Sequence, residues 1–218
     1  MEFLHVLVDF VLHLDKHLVE LVARFDLWIY AILFLVIFAE TGFVVTPFLP
    51  GDSLLFALGA LAAVDNSGTL SAPMLAGLLT VAAILGNTLN YAIGKTLGRS
   101  VFEGRYRLVN MKYLAQTERY FERHGEATIV LSRFAPVIRT FAPFIAGIGR
   151  MNYARFQLWN VLGALLWVNL LLWPGYFFGN IPLIRDNFGI VTILIIVVSL
   201  VPMVVMMIRQ RREDSAEQ

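Results

Sequence analysis

Residues 46–52 read TPFLPGD and interrupt a largely apolar stretch of chain. The segment before them, Leu27–Ala39, would form a helix of about 20 Å, which is too short to cross a hydrocarbon core of about 30 Å. The segment after them, Ser53–Val64, is similarly short. Proline and glycine break a helix, and broken backbone is tolerated at membrane depth only where it is buried in protein or lines a wet cavity. The pattern therefore predicts two half-helices that form a re-entrant hairpin, broken at Pro47, Pro50 and Gly51.

A second interruption follows later in the chain, where residues 133–139 read RFAPVIR between short apolar segments at 127–132 and 140–149. It predicts a second re-entrant hairpin, with breaks at Pro136, Pro143 and Gly147. The phrase PFLPG at 47–51 matches PFIAG at 143–147, and each hairpin precedes a longer apolar segment. Corresponding broken segments in two halves are typical of transporters built from repeats, whose binding site lies at the repeat interface.

The composition of the 218 residues indicates an integral membrane protein. Hydrophobic residues make up 58% and charged residues 15% of the chain, whereas soluble domains carry about 25% charged residues. We therefore predict an all-α, polytopic membrane protein with three full spans, two re-entrant hairpins and an N-terminal amphipathic helix. The spans are the uncharged segments long enough to cross a bilayer, which takes about 20 residues: Pro73–Gly94, Phe156–Gly179 and Ile190–Ile208.

The predicted organisation is a single membrane domain over residues 1–218. Polar groups at three- and four-residue steps give residues 1–25 one polar helical stripe. We expect this helix to lie in the membrane interface or to line the bundle with its polar edge. The remaining parts are the first hairpin with its span (27–94), a basic connection (95–125), the second hairpin with its span (126–179), the last span (190–208) and a tail (209–218).

Lysine and arginine set the expected orientation, because they concentrate on the cytoplasmic side of membrane proteins. Seven of them lie in residues 95–123 and three in the tail, whereas residues 64–72 have none and residues 180–189 have only Arg185. The basic connection and the C-terminus should therefore be cytoplasmic. The first hairpin then opens outward and the second inward, which makes the two halves an inverted repeat.

Several classes of function are disfavoured. The net charge of +1 suggests no nucleic acid partner, and the absence of cysteine excludes disulfides and thiolate metal sites. His5, His13 and His17 share the N-terminal stripe at a spacing that could bind a metal, but a solvated face is the simpler interpretation. No phosphate-binding loop, nucleophile elbow or metal-protease motif is present, so we expect no enzyme and no cofactor. The tryptophans, including Trp167, fit interface belts or packing.

Four charged residues stand in apolar surroundings: Glu40 and Asp52 in the first hairpin, Arg133 and Arg139 in the second. Each ionised group costs about 2.5–3.5 kcal/mol at the bilayer centre, so the four must pair or face water, and we predict one shared polar cavity. In one interpretation they form salt bridges that only hold the hairpins together. In the other, the arginine forks and the helix N-termini bind phosphate, while Glu40 or Asp52 exchanges protons.

The phrases around these charges resemble the DedA family of bacterial inner-membrane proteins. They read FAETG at 38–42, PFLPGDSLL at 47–55, SRFAPVIRTFAPFIAG at 132–147 and GYFFG at 175–179. The family shares its domain with eukaryotic lipid scramblases of the endoplasmic reticulum. The resemblance implies that the chain moves phospholipids or lipid carriers such as undecaprenyl phosphate, often with dependence on the proton gradient. It also implies that the family's functional acids and arginines fall on Glu40, Asp52, Arg133 and Arg139.

One position departs from the family pattern. An aspartate is expected in the Gly-Asp phrase before the Asn-Tyr of the first span, whereas this chain reads GNTLNY at 86–91. If that aspartate relays protons in relatives, Asn87 does not do so here. We expect Asn87 and Asn90 to form helix–helix hydrogen bonds instead.

Three functions are compatible with the sequence. The first is a carrier for a phosphate-bearing lipid, bound by the arginines and coupled to protons through the acids. The second is a proton-coupled exchanger of small ions that uses the same residues. The third is a membrane organiser in which the charges only hold the fold. The expected partners are membrane lipids and protons, and a homo-oligomer is compatible with the sequence.

Overall fold

The computed structural model describes residues 25, 27–43, 51–65, 68–102, 111–178 and 181. Apart from Phe25, the predicted amphipathic helix at 1–25 lies outside the described residues, as do the predicted last span Ile190–Ile208 and the tail. All regular structure in the described part is helical, which confirms the predicted all-α class. The α-helices are α1 (Trp28–Gly42), α2 (Gly51–Val64), α3 (Ala72–Phe102), α4 (Met111–His124), α5 (Thr128–Leu131), α6 (Pro136–Ile148) and α7 (Tyr153–Phe178).

Two of these helices are long and apolar enough to cross a membrane. They are Ala72–Leu97 within α3 and Tyr153–Phe178, which is the whole of α7, each of 26 residues. At a rise of 1.5 Å per residue each is about 39 Å long, which exceeds the hydrocarbon thickness. Both coincide with predicted spans. However, α3 continues beyond the predicted end at Gly94 to Phe102, into the predicted basic connection.

Three shorter apolar helices surround the long ones. Helices α1, α2 and α6 have 15, 14 and 13 residues, or about 20 Å each, so none of them crosses a bilayer alone. The chain leaves α1 in extended conformation at Phe43 and enters α2 at Gly51. The predicted break residues Pro47 and Pro50 lie outside the described residues.

The chain breaks again between α5 and α6. A 3₁₀ turn covers Ser132–Phe134, and Ala135 is extended, with φ −124° and ψ 102°. Pro136 then begins α6, at a position where its missing N–H costs no helical hydrogen bond. This break places Arg133 in the turn and Arg139 in the beginning of α6.

Pro143 and Gly147 are not breaks, contrary to the prediction, because α6 continues through both. Proline frees backbone groups in the preceding turn, and in membrane proteins a neighbouring helix can bond them. Pro143 leaves the Arg139 carbonyl without its helical donor, and the carbonyl of the next residue, Thr140, accepts from the Asn90 side chain of α3 at 2.8 Å. A Cβ on Gly147 would overlap the Tyr91 carbonyl of α3. Gly147 therefore serves the close packing of α6 on α3.

Two of the short helices pack on the long helix of the other half, α2 on α7 and α6 on α3, whereas α1 packs on α3 of its own half. Gly59 lies against the Leu172 backbone of α7 as Gly147 lies against α3. The structurally matching phrases are therefore FALG at 56–59 and FIAG at 144–147. The predicted match of 47–51 with 143–147 is wrong as a structural equivalence, since Gly51 begins its helix whereas Gly147 lies near the end of α6.

Candidate functional site

The two acids lie on either side of the interruption between α1 and α2. Glu40 is buried in the last turn of α1, and Asp52 lies in the first turn of α2, where a helix N-terminus favours negative charge. Gly51 lies directly against Glu40, and a Cβ at Gly51 would overlap the carboxylate oxygens. A side chain at position 51 would displace the Glu40 carboxylate, so the glycine lets α1 and α2 present both carboxylates together.

Arg139 joins the two acids. Its Nη1 donates to Asp52 Oδ1 at 2.8 Å, and its Nη2 pairs with Glu40 Oε1. The guanidinium plane presents two donors in a fixed fork, and here each prong takes a different carboxylate. Arg139 and Glu40 are buried, while the Asp52 side chain is 15% exposed. This buried ion triad holds α6 to both arms of the first break.

Trp167 of α7 forms the floor of the same site. Its side chain is completely buried, and its indole Nε1 donates to Asp52 Oδ1 at 2.9 Å. The guanidinium carbons of Arg139 and Arg133 lie 5.2 and 5.8 Å from its ring centroid. Both distances are within the range of cation–π attraction. One tryptophan ring therefore adjoins both arginines and hydrogen-bonds one of the acids.

Arg133 is bonded differently from Arg139. It is 1% exposed, and its Nη2 donates to Asn160 Oδ1 at 2.8 Å. Among the described residues it forms no ion pair, and its Nε and Nη1 have no hydrogen-bond partner. A buried charge without a partner is costly. Arg133 thus holds unused donor capacity in the interior of the protein.

Asparagines connect the helices around this site. Asn87 donates to Asn160 Oδ1 at 3.0 Å, which joins α3 to α7 beside Arg133. Asn90 donates to the carbonyls of Thr41 at 3.3 Å and Thr140 at 2.8 Å, which joins α3 to α1 and α6. The predicted helix–helix hydrogen bonding of Asn87 and Asn90 is confirmed.

The structure brings the four predicted charges to one place, three of them through direct ion pairs and Arg133 through the shared Trp167 ring. The sequence did not single out Trp167 or Asn160 as site residues. Their seven-residue spacing puts both on one face of α7 and could have indicated them. Within the described part of the chain, no cluster of three or more His, Cys, Asp or Glu residues could hold a metal ion.

Two long apolar helices, three short apolar helices and a buried charge cluster define a helical membrane protein whose polar groups converge in its interior. Residues 49–177 match the family described as the VTT domain. The chain is 50% identical over 213 residues to the protein DedA of Escherichia coli K12, which covers 97% of each chain. It therefore belongs to the DedA family of membrane proteins.

Other relatives are also named as membrane proteins. An uncharacterised membrane protein of Mycobacterium leprae is 39% identical over 168 residues, covering 77% of this chain and 74% of its own. The inner membrane protein YqjA of Escherichia coli K12 is 37% identical over 155 residues, covering 71% and 69%. These names support an inner-membrane location. No solved structure shows significant similarity to the chain.

Proposed function

We propose that this protein is a flippase- or scramblase-type transporter that moves a phosphate-bearing lipid, such as undecaprenyl phosphate or a phospholipid, across the bacterial inner membrane. We further propose that the movement is linked to the proton gradient and requires no cofactor or enzymatic step. The observation that carries the proposal is Arg133, whose buried guanidinium has two nitrogens without a partner among the described residues.

A phosphate group fits the unused donors of Arg133. Guanidinium binds phosphate oxygens through charge-assisted, often bidentate hydrogen bonds. The N-terminus of α6 begins immediately after the turn that carries Arg133, and helix N-termini favour anions. Both terminal nitrogens of Arg139, by contrast, are taken by carboxylates. In this proposal Arg133 receives the phosphate, and Arg139 joins it only after releasing an acid.

The proton link follows from the charge of the cluster. Two acids and two arginines are together neutral when all are ionised, so a phosphate monoanion would add one negative charge to a desolvated site. A proton on Glu40 would restore neutrality and would weaken its hold on Nη2 of Arg139. The freed nitrogen could then bind the phosphate. Proton binding and phosphate binding would thus favour one another.

The two chain breaks provide the proposed means of movement. The short helices are too short to cross the membrane, which supports two re-entrant hairpins in an inverted repeat around the charge cluster. The basic connection would then be cytoplasmic. Rocking of one repeat against the other would expose the cluster to each side in turn, as in transporters of this design.

Reconstituted vesicles test the proposal. Fluorescent undecaprenyl phosphate or phospholipid would be assayed for flipping with and without a pH gradient, using wild type, Arg133→Gln and Arg155→Gln. Arg155 is the matched control, because it is an arginine that is 70% exposed and pairs with Glu126 rather than with a residue of the charge cluster. We expect flipping by wild type and the control, and its loss in Arg133→Gln. Absence of lipid movement in wild type, with uptake of a small anion instead, would identify an ion exchanger.

A further inference from the structure

A chain of hydrogen-bonded polar side chains runs from the surface of the protein to Arg133. Gln157 donates to Tyr153 Oη and to Thr88 Oγ1, both at 2.8 Å. Asn160 donates to Gln157 Oε1 at 3.2 Å. The Oδ1 of the same Asn160 accepts from Arg133 Nη2 at 2.8 Å. Tyr153, Gln157, Thr88 and Asn160 therefore form a continuous polar path, which ends at the guanidinium with unused donors.

Burial increases step by step along this path. Tyr153 is 52% exposed, Gln157 and Thr88 are half-buried, and Asn160 and Arg133 are buried. Residues 153, 157 and 160 follow one another at steps of four and three, so they share one face of α7. Other α7 faces present large apolar side chains such as Leu158, which is 59% exposed. The polar face thus leads inward from the beginning of α7.

The chemistry of the path suits an anion. Its four members are neutral hydroxyls and amides that can exchange hydrogen bonds among themselves for bonds to phosphate oxygens. No acid belongs to the path, and it ends at a positive charge. The exposed Arg150 lies three residues before Tyr153, at the outer end of the path.

We infer that the polar path between α3 and α7 is the route by which a phosphate group, on a lipid headgroup or free in solution, reaches Arg133 from the end of α7 that begins at Tyr153. The inference rests on the proposed function, because it assigns the route to the phosphate site. The path opens at the end of α7 that follows the exposed Arg150. The lipid tail would remain outside the path while the headgroup follows the polar side chains.

Cysteine labelling tests whether the path is open to water and selects anions. The natural chain has no cysteine, so single cysteines report without background. Gln157→Cys would be reacted in vesicles with membrane-impermeant thiosulfonates, one anionic and one cationic. Leu158→Cys is the control for a lipid-facing neighbour, and the exposed Ala154→Cys identifies the accessible side.

We expect Gln157→Cys to react from the side that labels Ala154→Cys. The anionic reagent should react about tenfold faster than the cationic one, because the nearest charge inside is positive. Leu158→Cys should react at least about tenfold more slowly than Gln157→Cys. Failure of Gln157→Cys to react while Ala154→Cys does, or equal rates with both reagents, would overturn the route.

Protection then identifies what enters. Undecaprenyl phosphate in the vesicles should slow labelling of Gln157→Cys, whereas unphosphorylated undecaprenol should not. Protection by inorganic phosphate as well would assign the route to free phosphate in addition to the headgroup. No protection by either phosphate, with labelling intact, would overturn the assignment of the path to phosphate.

Flipping by the labelled protein separates the route from the proposed function. Attachment of the bulky group at Gln157→Cys should reduce flipping at least about tenfold relative to the same unlabelled variant, while labelling of Ala154→Cys should not. Unchanged flipping after labelling at 157 would refute the route and leave the function standing. The wild-type protein could instead flip no lipid while Gln157→Cys still shows anion-selective labelling and protection by phosphate. That result would refute the function and leave the route as a path for small anions.

Discussion

Replacing Arg139 by glutamine removes both buried ion pairs of the charge cluster in one step. The substitution leaves Glu40 buried without its partner, and leaves Asp52 with only the Trp167 indole among the bonds of the cluster. Breaking one side of a buried pair costs about 3–5 kcal/mol. Asp52 is partly exposed and lies at a helix N-terminus, so it should add little beyond the cost at Glu40. We expect a loss of about 4 kcal/mol, or roughly 10 °C in melting temperature for a chain of this size.

Replacing Arg133 by glutamine should have a different effect. Among the described residues this guanidinium has no acid partner. Its removal therefore eliminates a desolvated charge and leaves no carboxylate without a partner. The main loss is its hydrogen bond to Asn160, worth about 1.5–3 kcal/mol, and removal of the desolvated charge offsets much of it. Glutamine can retain part of that bond. We expect the stability of Arg133→Gln to stay within about 1 kcal/mol of wild type.

Thermal unfolding in one detergent measures both variants, with Arg155→Gln as the control for loss of an exposed arginine. A rescue variant combines Arg139→Gln with Glu40→Gln and Asp52→Asn, so that no unpaired carboxylate remains. It should recover most of the lost melting temperature. Equal destabilisation by Arg133→Gln and Arg139→Gln, or wild-type stability of Arg139→Gln, would refute the assignment of different roles to the two arginines.

Three further predictions concern single side chains. Trp167→Phe keeps a ring beside the arginines but removes the hydrogen bond to Asp52. Its free energy of unfolding, followed by thermal unfolding, should therefore be lower by about 1.5–3 kcal/mol. Wild-type stability would argue against that bond. Gly147→Ala should cost about 1–3 kcal/mol because its Cβ overlaps the α3 backbone, whereas Gly77→Ala, with nothing within 4 Å, should be neutral or stabilising; equal effects would contradict the close crossing. Asn87→Asp places an acid beside Asn160 and Arg133, so lipid flipping should fall at neutral pH and recover on acidification as the new carboxyl is protonated; a pH profile identical to wild type would contradict this.

Much of the helical framework could be predicted from composition and hydrophobic segment length. The high cost of charge in a bilayer was enough to group Glu40, Asp52, Arg133 and Arg139, without knowledge of their contacts. The different bonding of the two arginines could not be predicted, because it depends on which guanidinium lies next to Glu40 and Asp52 in the folded protein. Sequence spacing alone treats Arg133 and Arg139 as equivalent.

Other features depend on tertiary contacts that no local pattern encodes. Pro143 suggested a break because proline removes a helical hydrogen bond, but α6 continues through it while packed along α3, from which Asn90 bonds the Thr140 carbonyl. Trp167 looks like any tryptophan of an apolar span until α2 places Asp52 against its indole nitrogen. The packing of α2 on α7 depends on a close approach at Gly59, which is one of several glycines in its surroundings.

Equilibrium binding shows whether Arg133 holds the phosphate group of the lipid, as proposed. Radiolabelled undecaprenyl phosphate would be titrated onto wild type, Arg133→Lys and Arg133→Gln in detergent, with unphosphorylated undecaprenol as the reference ligand. We predict that Arg133→Gln weakens binding of the phosphorylated lipid at least about tenfold, and that lysine restores only part of it because it supplies charge without the two-pronged fork. Binding of undecaprenol should be the same in all three proteins. Equal affinity of wild type and Arg133→Gln for undecaprenyl phosphate would show that Arg133 does not hold the phosphate group.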